Sequence, residues 1–227
     1  MQISELRTLP EGDWASVTSN FRWRVPVDFS MARACCDDWA AFDADRTAII
    51  DVSEDGTRTV WSFGRLKDAS DRLAAAMRAL GVTKGDRVAI LLSQCPEVMV
   101  AHFAAMKLGA IVLPLFTLFG EDALAFRLAD SGAVLAVTDD VHVDKLVSAG
   151  AGSALHSIVT TGVRSAAQAP RVVAWDAAMS GATGAFRAEA VGAEDAAVLI
   201  YTSGTTGAPK GALHAHRFLL GHLPSVE

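Results

Sequence analysis

Between residues 87 and 160 the chain alternates short apolar runs of strand length with stretches whose apolar residues recur every three or four positions, and this alternation leaves few folds open. Strands are expected at 87–92, 110–115, 133–138 and 157–160, with helices between them at 96–108, 121–130 and 143–147. Pro96 stands at a first helical turn, where its missing N–H is no loss. Gly109 and Gly132 follow helix ends, where a left-handed residue is wanted. Two strands separated by a helix pair in parallel, because the crossover returns the chain to the same end of the sheet. The fold class is therefore α/β, with parallel-rich sheets flanked by helices.

The flanking regions have a different texture. Residues 29–42 carry Met31, Cys35, Trp39 and Phe42 at helical spacing. Residues 47–52 and 57–63 read as two strands joined by a turn at Glu54-Asp55-Gly56, a hairpin appended to the parallel sheet. Ser62 is placed to cap a helix in which Leu66, Ala69, Leu73, Met77 and Leu80 share a face, and Gly81 stops it. Between 162 and 194 small residues dominate, so one short strand and loops are expected there. Strand character returns at Ala196, a second strand is expected at 211–215, and a helix begins in 216–222. The chain thus divides into a leading helical segment (1–45), a first βα subdomain (46–162), a loose connection (163–194) and the start of a second sheet region (195–227).

Composition narrows the function. A hydrophobic fraction of 51% in 227 residues supports a sizeable core, and a net charge of -6 offers no broad basic surface, so nucleic acid is a poor partner. Cys35, Cys36 and Cys95 form neither a disulfide framework nor a CxxC metal pair, which fits a reducing cytoplasm. Residues 1–10 lack the apolar core of a secretory signal. The long apolar run at 98–120 is broken by His102, Lys107, Gly109 and Pro114. A lysine near a bilayer centre costs about 2.5 to 3.5 kcal/mol, so a buried helix followed by a buried strand explains the run better than a membrane span.

Chemistry concentrates in Tyr201-Thr202-Ser203-Gly204-Thr205-Thr206-Gly207-Ala208-Pro209-Lys210-Gly211, which follows the apolar strand at 196–200. Glycines let backbone approach an anion closely, the hydroxyls of Thr202, Ser203, Thr205 and Thr206 donate to phosphate oxygens, and Lys210 adds a mobile positive charge. A loop of this kind at the end of a sheet strand suits a polyphosphate. The spacing is not that of a Walker A loop, since Gly204 is followed five positions later by Pro209.

This segment closely resembles the phosphate-binding signature of the adenylate-forming superfamily, which includes acyl-CoA synthetases, luciferases and the adenylation domains of peptide synthetases. Gly85-Asp86-Arg87-Val88-Ala89-Ile90, Lys107-Leu108-Gly109-Ala110 and Phe116-Thr117-Leu118-Phe119-Gly120 add to the likeness and point to the acetyl and medium-chain acyl-CoA synthetase branch. The resemblance implies that ATP activates a short or medium-chain carboxylic acid to an acyl-adenylate, which coenzyme A then captures as a thioester. It assigns Thr202, Ser203, Gly204, Thr205, Thr206, Gly207 and Lys210 to the ATP phosphates. Family members are more than twice as long, and the segments that help hold magnesium, grip the ribose and supply the catalytic lysine have no counterpart here. An incomplete N-terminal domain is therefore expected, with no catalytic residue of its own and inactive alone. Two further readings stay open: a ligase that passes the acyl group to another acceptor, and a non-catalytic nucleotide-binding fragment.

Other residues have plainer readings. His214 and His216, two apart on a strand, would share a face, but no third ligand accompanies them, so a structural or substrate-adjacent role is favoured over a metal. Cys95 at a helix start invites comparison with low-pKa thiols but has no base at hand, so it is read as a packed thiol. Asp37-Asp38 and Asp139-Asp140 are assigned to exposed faces and a cap. Lys84, Arg87 and Lys107 are scattered, and the five tryptophans are expected to pack.

Overall fold

The computed structural model describes residues 12–180, 186–203 and 207–223. Its N-terminal part is helical: α1 (Trp14–Asn20) is capped by Asp13, whose carboxylate accepts from Ser16 N at 2.9 Å. The expected helix around residue 35 is present but is wound as a π-helix over Arg33–Asp37 before continuing as α2 (Asp38–Phe42). The hairpin follows as β1 (Thr47–Val52) and β2 (Arg58–Ser62), paired antiparallel, with Gly56 at a φ of 83° in the turn. Ser62 accepts from Arg65 N and starts α3 (Phe63–Ala79), as its position predicts.

The alternation then runs β3 (Arg87–Leu91), α4 (Pro96–Lys107), β4 (Ile111–Pro114), α5 (Glu121–Ser131), β5 (Leu135–Thr138), α6 (Val143–Ala149) and β6 (Ser157–Thr160). The connection after β6 holds the one short strand expected there, β7 (Arg171–Ala174), and also a short helix, α7 (Trp175–Ser180), where the sequence reading has loops. Ala178 explains the helix, since it is buried in the layer that contains α3. The chain returns with β8 (Ala196–Thr202), β9 (Lys210–Ala215) and α8 (Phe218–His222).

Seven strands form one sheet in the order β7-β6-β5-β3-β4-β8-β9, parallel throughout except for the antiparallel pair β8–β9. The strands before and after the 163–194 connection therefore lie in one sheet rather than two, joined where Val198 pairs with Val112. Side chains alternate with the pleat: Val88, Ile90, Val112, Leu135 and Val137 face the layer containing α3 and α4, and Ala89, Leu91, Leu113, Ala136 and Ile158 face Leu124, Leu128 and Leu146 of α5 and α6. Burial on both faces is why these strands read as unbroken apolar runs. The crossover from β3 to β4 moves one way along the sheet and that from β4 to β5 moves back past β3, so right-handed connections put α4 and α5 on opposite faces.

The membrane-like run resolves into buried α4 followed by buried β4, as expected. Among the described residues no helix is long and apolar enough to cross a membrane.

Candidate functional site

β8 ends at Thr202 directly opposite Lys210, the first residue of β9, so the hydroxyl-rich loop is the connection of a hairpin. Because β8 runs parallel to β4, this connection emerges at the carboxyl edge of the sheet, beside the segment that follows β4, where open α/β sheets bind ligands. Thr202, Ser203, Gly207 and Lys210 are all exposed. Gly207 has a φ of 109°, a conformation that side chains resist. Gly204, Thr205 and Thr206 lie outside the described residues.

Tyr201, one residue before the loop, is tied to α5. Its hydroxyl donates to Asp130 Oδ2 at 2.5 Å, and its ring meets Phe126 edge-on at 6.2 Å. Burial, followed by the hydrogen bond to Asp130, pushes the Tyr201 phenol above its ordinary pKa. The Arg127 guanidinium lies 4.1 Å from the centre of the Phe119 ring and 5.6 Å from that of Tyr201, and its Nη1 donates to Ala123 O at 2.7 Å. Across the hairpin Tyr201 pairs with Gly211. A Cβ on Gly211 would stand 2.9 Å from Leu199 Cδ1 and 3.4 Å from Tyr201 Cζ, so the small residue after Lys210 leaves room for both side chains. The sequence reading missed Arg127 and Asp130. The available signal was Tyr201, a phenol between an apolar strand and a polar loop, which needs a partner for its hydroxyl.

The two histidines separate. His214 is on β9, its ring 4.2 Å from that of Phe218, whereas His216 lies beyond the strand and is fully buried. His216 Nδ1 accepts from Met31 N at 3.2 Å, so the ring fastens the leading segment to the end of the β8–β9 hairpin. Among the described residues no group of three or more His, Cys, Asp or Glu stands together in a way that holds a metal. A cleft of about 620 Å³ opens along β9 and α8, lined in part by Trp23, Leu213, His214 and Phe218.

Asp37 corrects the reading of its pair as exposed. It lies 2.7 Å from Lys107 Nζ, and Lys107 is itself buried and bonded to Asp71 Oδ1 at 2.6 Å and Ser70 Oγ at 2.9 Å. Asp139 is not the cap of α6, whose N-cap position is His142 with no side-chain cap bond; its carboxylate accepts from His142 N at 3.0 Å in the turn before the helix. Asp140 accepts from Thr160 Oγ1 at 2.7 Å and from Val163 N at 3.0 Å, and these bonds, the hydroxyl first, hold its carboxyl below the usual range. Cys95 does stand before α4, yet burial pushes its thiol up to about 11, with Glu97 adding to the shift. Lys84 bonds Asp195 at 2.8 Å, and Arg87 donates to the carbonyls of Ser131 and Gly132.

The fold is an α/β domain with a hydroxyl-rich hairpin loop at the carboxyl edge of a mostly parallel sheet, and residues 36–226 match the AMP-binding enzyme family. The chain belongs to that family. It is 33% identical over 211 residues to an acetyl-coenzyme A synthetase of Sodalis glossinidius, covering 86% of this chain and 32% of the relative. It is 35% identical over 207 residues to the acetyl-coenzyme A synthetase of Streptomyces avermitilis, covering 85% and 32%. Among solved structures it resembles an acyl-CoA synthetase of Brucella canis, with a TM-score of 0.77 and 28% identity over 97% of this chain and 39% of that one. An anthranilate CoA ligase in complex with anthranoyl-AMP shares the fold, with a TM-score of 0.73 and 22% identity over 85% of this chain and 36% of that one. The chain spans about a third of the length of the curated relatives it matches.

Proposed function

We propose that this chain supplies the ATP phosphate-binding part of an AMP-forming acyl-CoA synthetase that activates a short or medium-chain carboxylic acid. The acid's oxygen attacks the α-phosphate of ATP, pyrophosphate leaves, and the thiol of coenzyme A displaces AMP from the acyl-adenylate. Both partners in the first step are anionic, so fixed donors on the β and γ phosphates lower the barrier by meeting charge with oriented dipoles. The hydroxyls of Thr202, Ser203, Thr205 and Thr206, the amides around Gly204 and Gly207, and the Lys210 ammonium take that task. The observation that carries the reading is the β8–β9 hairpin, which presents Thr202 and Lys210 opposite each other at the carboxyl edge of a parallel sheet. Membership of the AMP-binding enzymes and the likeness to acetyl-coenzyme A synthetases support it.

ATP brings magnesium to such a reaction. The described residues offer no acidic cluster to hold one, so no step is assigned to a metal on this chain. The three free cysteines agree with a reaction in the cytoplasm.

The test is carboxylate-dependent exchange of pyrophosphate into ATP by the intact protein that carries this chain, with acetate and medium-chain acids compared. Lys210→Ala is expected to lower exchange roughly 100-fold, the loss typical of one donor to developing charge. Exchange that needs no carboxylate, or that is unchanged in the variant, refutes the assignment.

A further inference from the structure

We infer that Asp130 and Arg127, on α5, are positioning residues for the phosphate loop and act on it through Tyr201. This rests on the proposed role of the loop in binding ATP. On its β4 side the loop-bearing end of β8 has no registered strand partner. Parallel pairing with β4 is registered at Val112 and Val198, four residues before Thr202, and β4 ends in Pro114, which has no N–H to extend the ladder. Beyond that point β8 is bonded to β9, the outermost strand of the sheet.

What holds this end toward the body of the sheet is a side chain. The Tyr201 hydroxyl donates to Asp130 Oδ2 at 2.5 Å, a bond to a charged acceptor and so stronger than a neutral one. Arg127 stands at the same corner, its guanidinium 4.1 Å from the centre of the Phe119 ring and 5.6 Å from that of Tyr201. Phe119 belongs to the segment joining β4 to α5, and its ring meets Phe116 at 5.4 Å. Two segments that leave the carboxyl edge side by side, one after β4 and one after β8, are thus fixed to one helix. Tyr201 is covalently adjacent to Thr202, so its placement sets where the first hydroxyl of the loop stands.

Steady-state pyrophosphate exchange by the intact protein tests this with Tyr201→Phe, Asp130→Ala and Asp130→Asn. The first two are expected to raise KM for ATP about tenfold, with kcat and KM for the carboxylate little changed. Asp130→Asn keeps an acceptor for the phenol and is expected to stay within about twofold of the parent. The double variant Tyr201→Phe/Asp130→Ala is expected to match either single variant, since all three remove one bond. A lowered melting temperature with an unchanged KM for ATP in both Tyr201→Phe and Asp130→Ala makes the contact merely structural and overturns the inference. Should one of the two not fold, the other decides. Exchange that is insensitive to Lys210→Ala overturns the ATP role of the loop, whereas sensitivity there without a KM effect here overturns only the positioning role.

Discussion

The Lys107 ammonium stands 2.6 Å from Asp71 Oδ1, where α4 packs on α3. Asp37, from the π-helical turn, lies 2.7 Å from the same nitrogen, and Lys67 meets the other Asp71 oxygen at 2.5 Å. A lysine that is 2% exposed is tolerable because two carboxylates and a hydroxyl replace its water.

Replacing Lys107 by Met should therefore destabilise the chain by about 3 kcal/mol, the lower end for breaking a buried pair, since Asp37 keeps some solvent contact. Urea unfolding of the variant measures it. A midpoint within error of the parent would show that the charges contribute nothing to the α3–α4 contact.

Gly132 ends α5 at a φ of 61°, and a Cβ there would stand 2.7 Å from Arg87 Nη2, which donates to the Gly132 carbonyl at 2.8 Å. Gly152 has a similar φ of 74° but open space around it. Gly152→Ala is expected to cost about 1 kcal/mol of backbone strain, and Gly132→Ala about 2 kcal/mol because the arginine must also move. Equal losses in urea unfolding would show that Arg87 yields freely.

Burial holds His216 below the ordinary histidine value of 6.5, with Asp195 pulling it up and Lys84 pushing it down. Burial holds His102 on α4 low as well. Both rings are neutral when folded, so on acidification the unfolded chain takes up protons first. Their contribution is complete above about pH 6.5 and declines from there down through the folded values. Unfolding free energy should thus fall as pH drops below about 6.5, less steeply in His216→Asn. An equal slope in that variant removes His216 from the account.

Burial pushes Cys35 and Cys95 up to about 11 and Cys36 up to about 12. At neutral pH almost none of each thiol is ionised, so alkylation of the folded chain by iodoacetamide should run at least about tenfold slower than in denaturant. Rapid labelling of Cys95 in the folded chain would restore it as a reactive thiol.

Much of the architecture was legible because the information is local. Glycine stops, the Ser62 cap, the Asp55-Gly56 turn and the 3.6- and 2-residue periods each act within a few residues, and the elements between 87 and 160 stand where those signals put them. The hydroxyl-rich hairpin loop was legible for the same reason, its hydroxyls, glycines and lysine being contiguous. α7 was not, because its helix depends on Ala178 finding the layer of α3.

The sequence by itself determined an α/β chain of the AMP-binding kind and a contiguous run of hydroxyls, glycines and one lysine after its strand at 196–200. Tertiary structure alone decided that β8 joins β4 in one sheet, that Lys107 rests between Asp37 and Asp71, that His216 reaches Met31, and that Asp130 holds Tyr201. Those partners are 36 to 185 residues apart, so no periodicity or spacing encodes them. They are selected only when the folded chain removes water from a polar group and leaves one neighbour able to replace it.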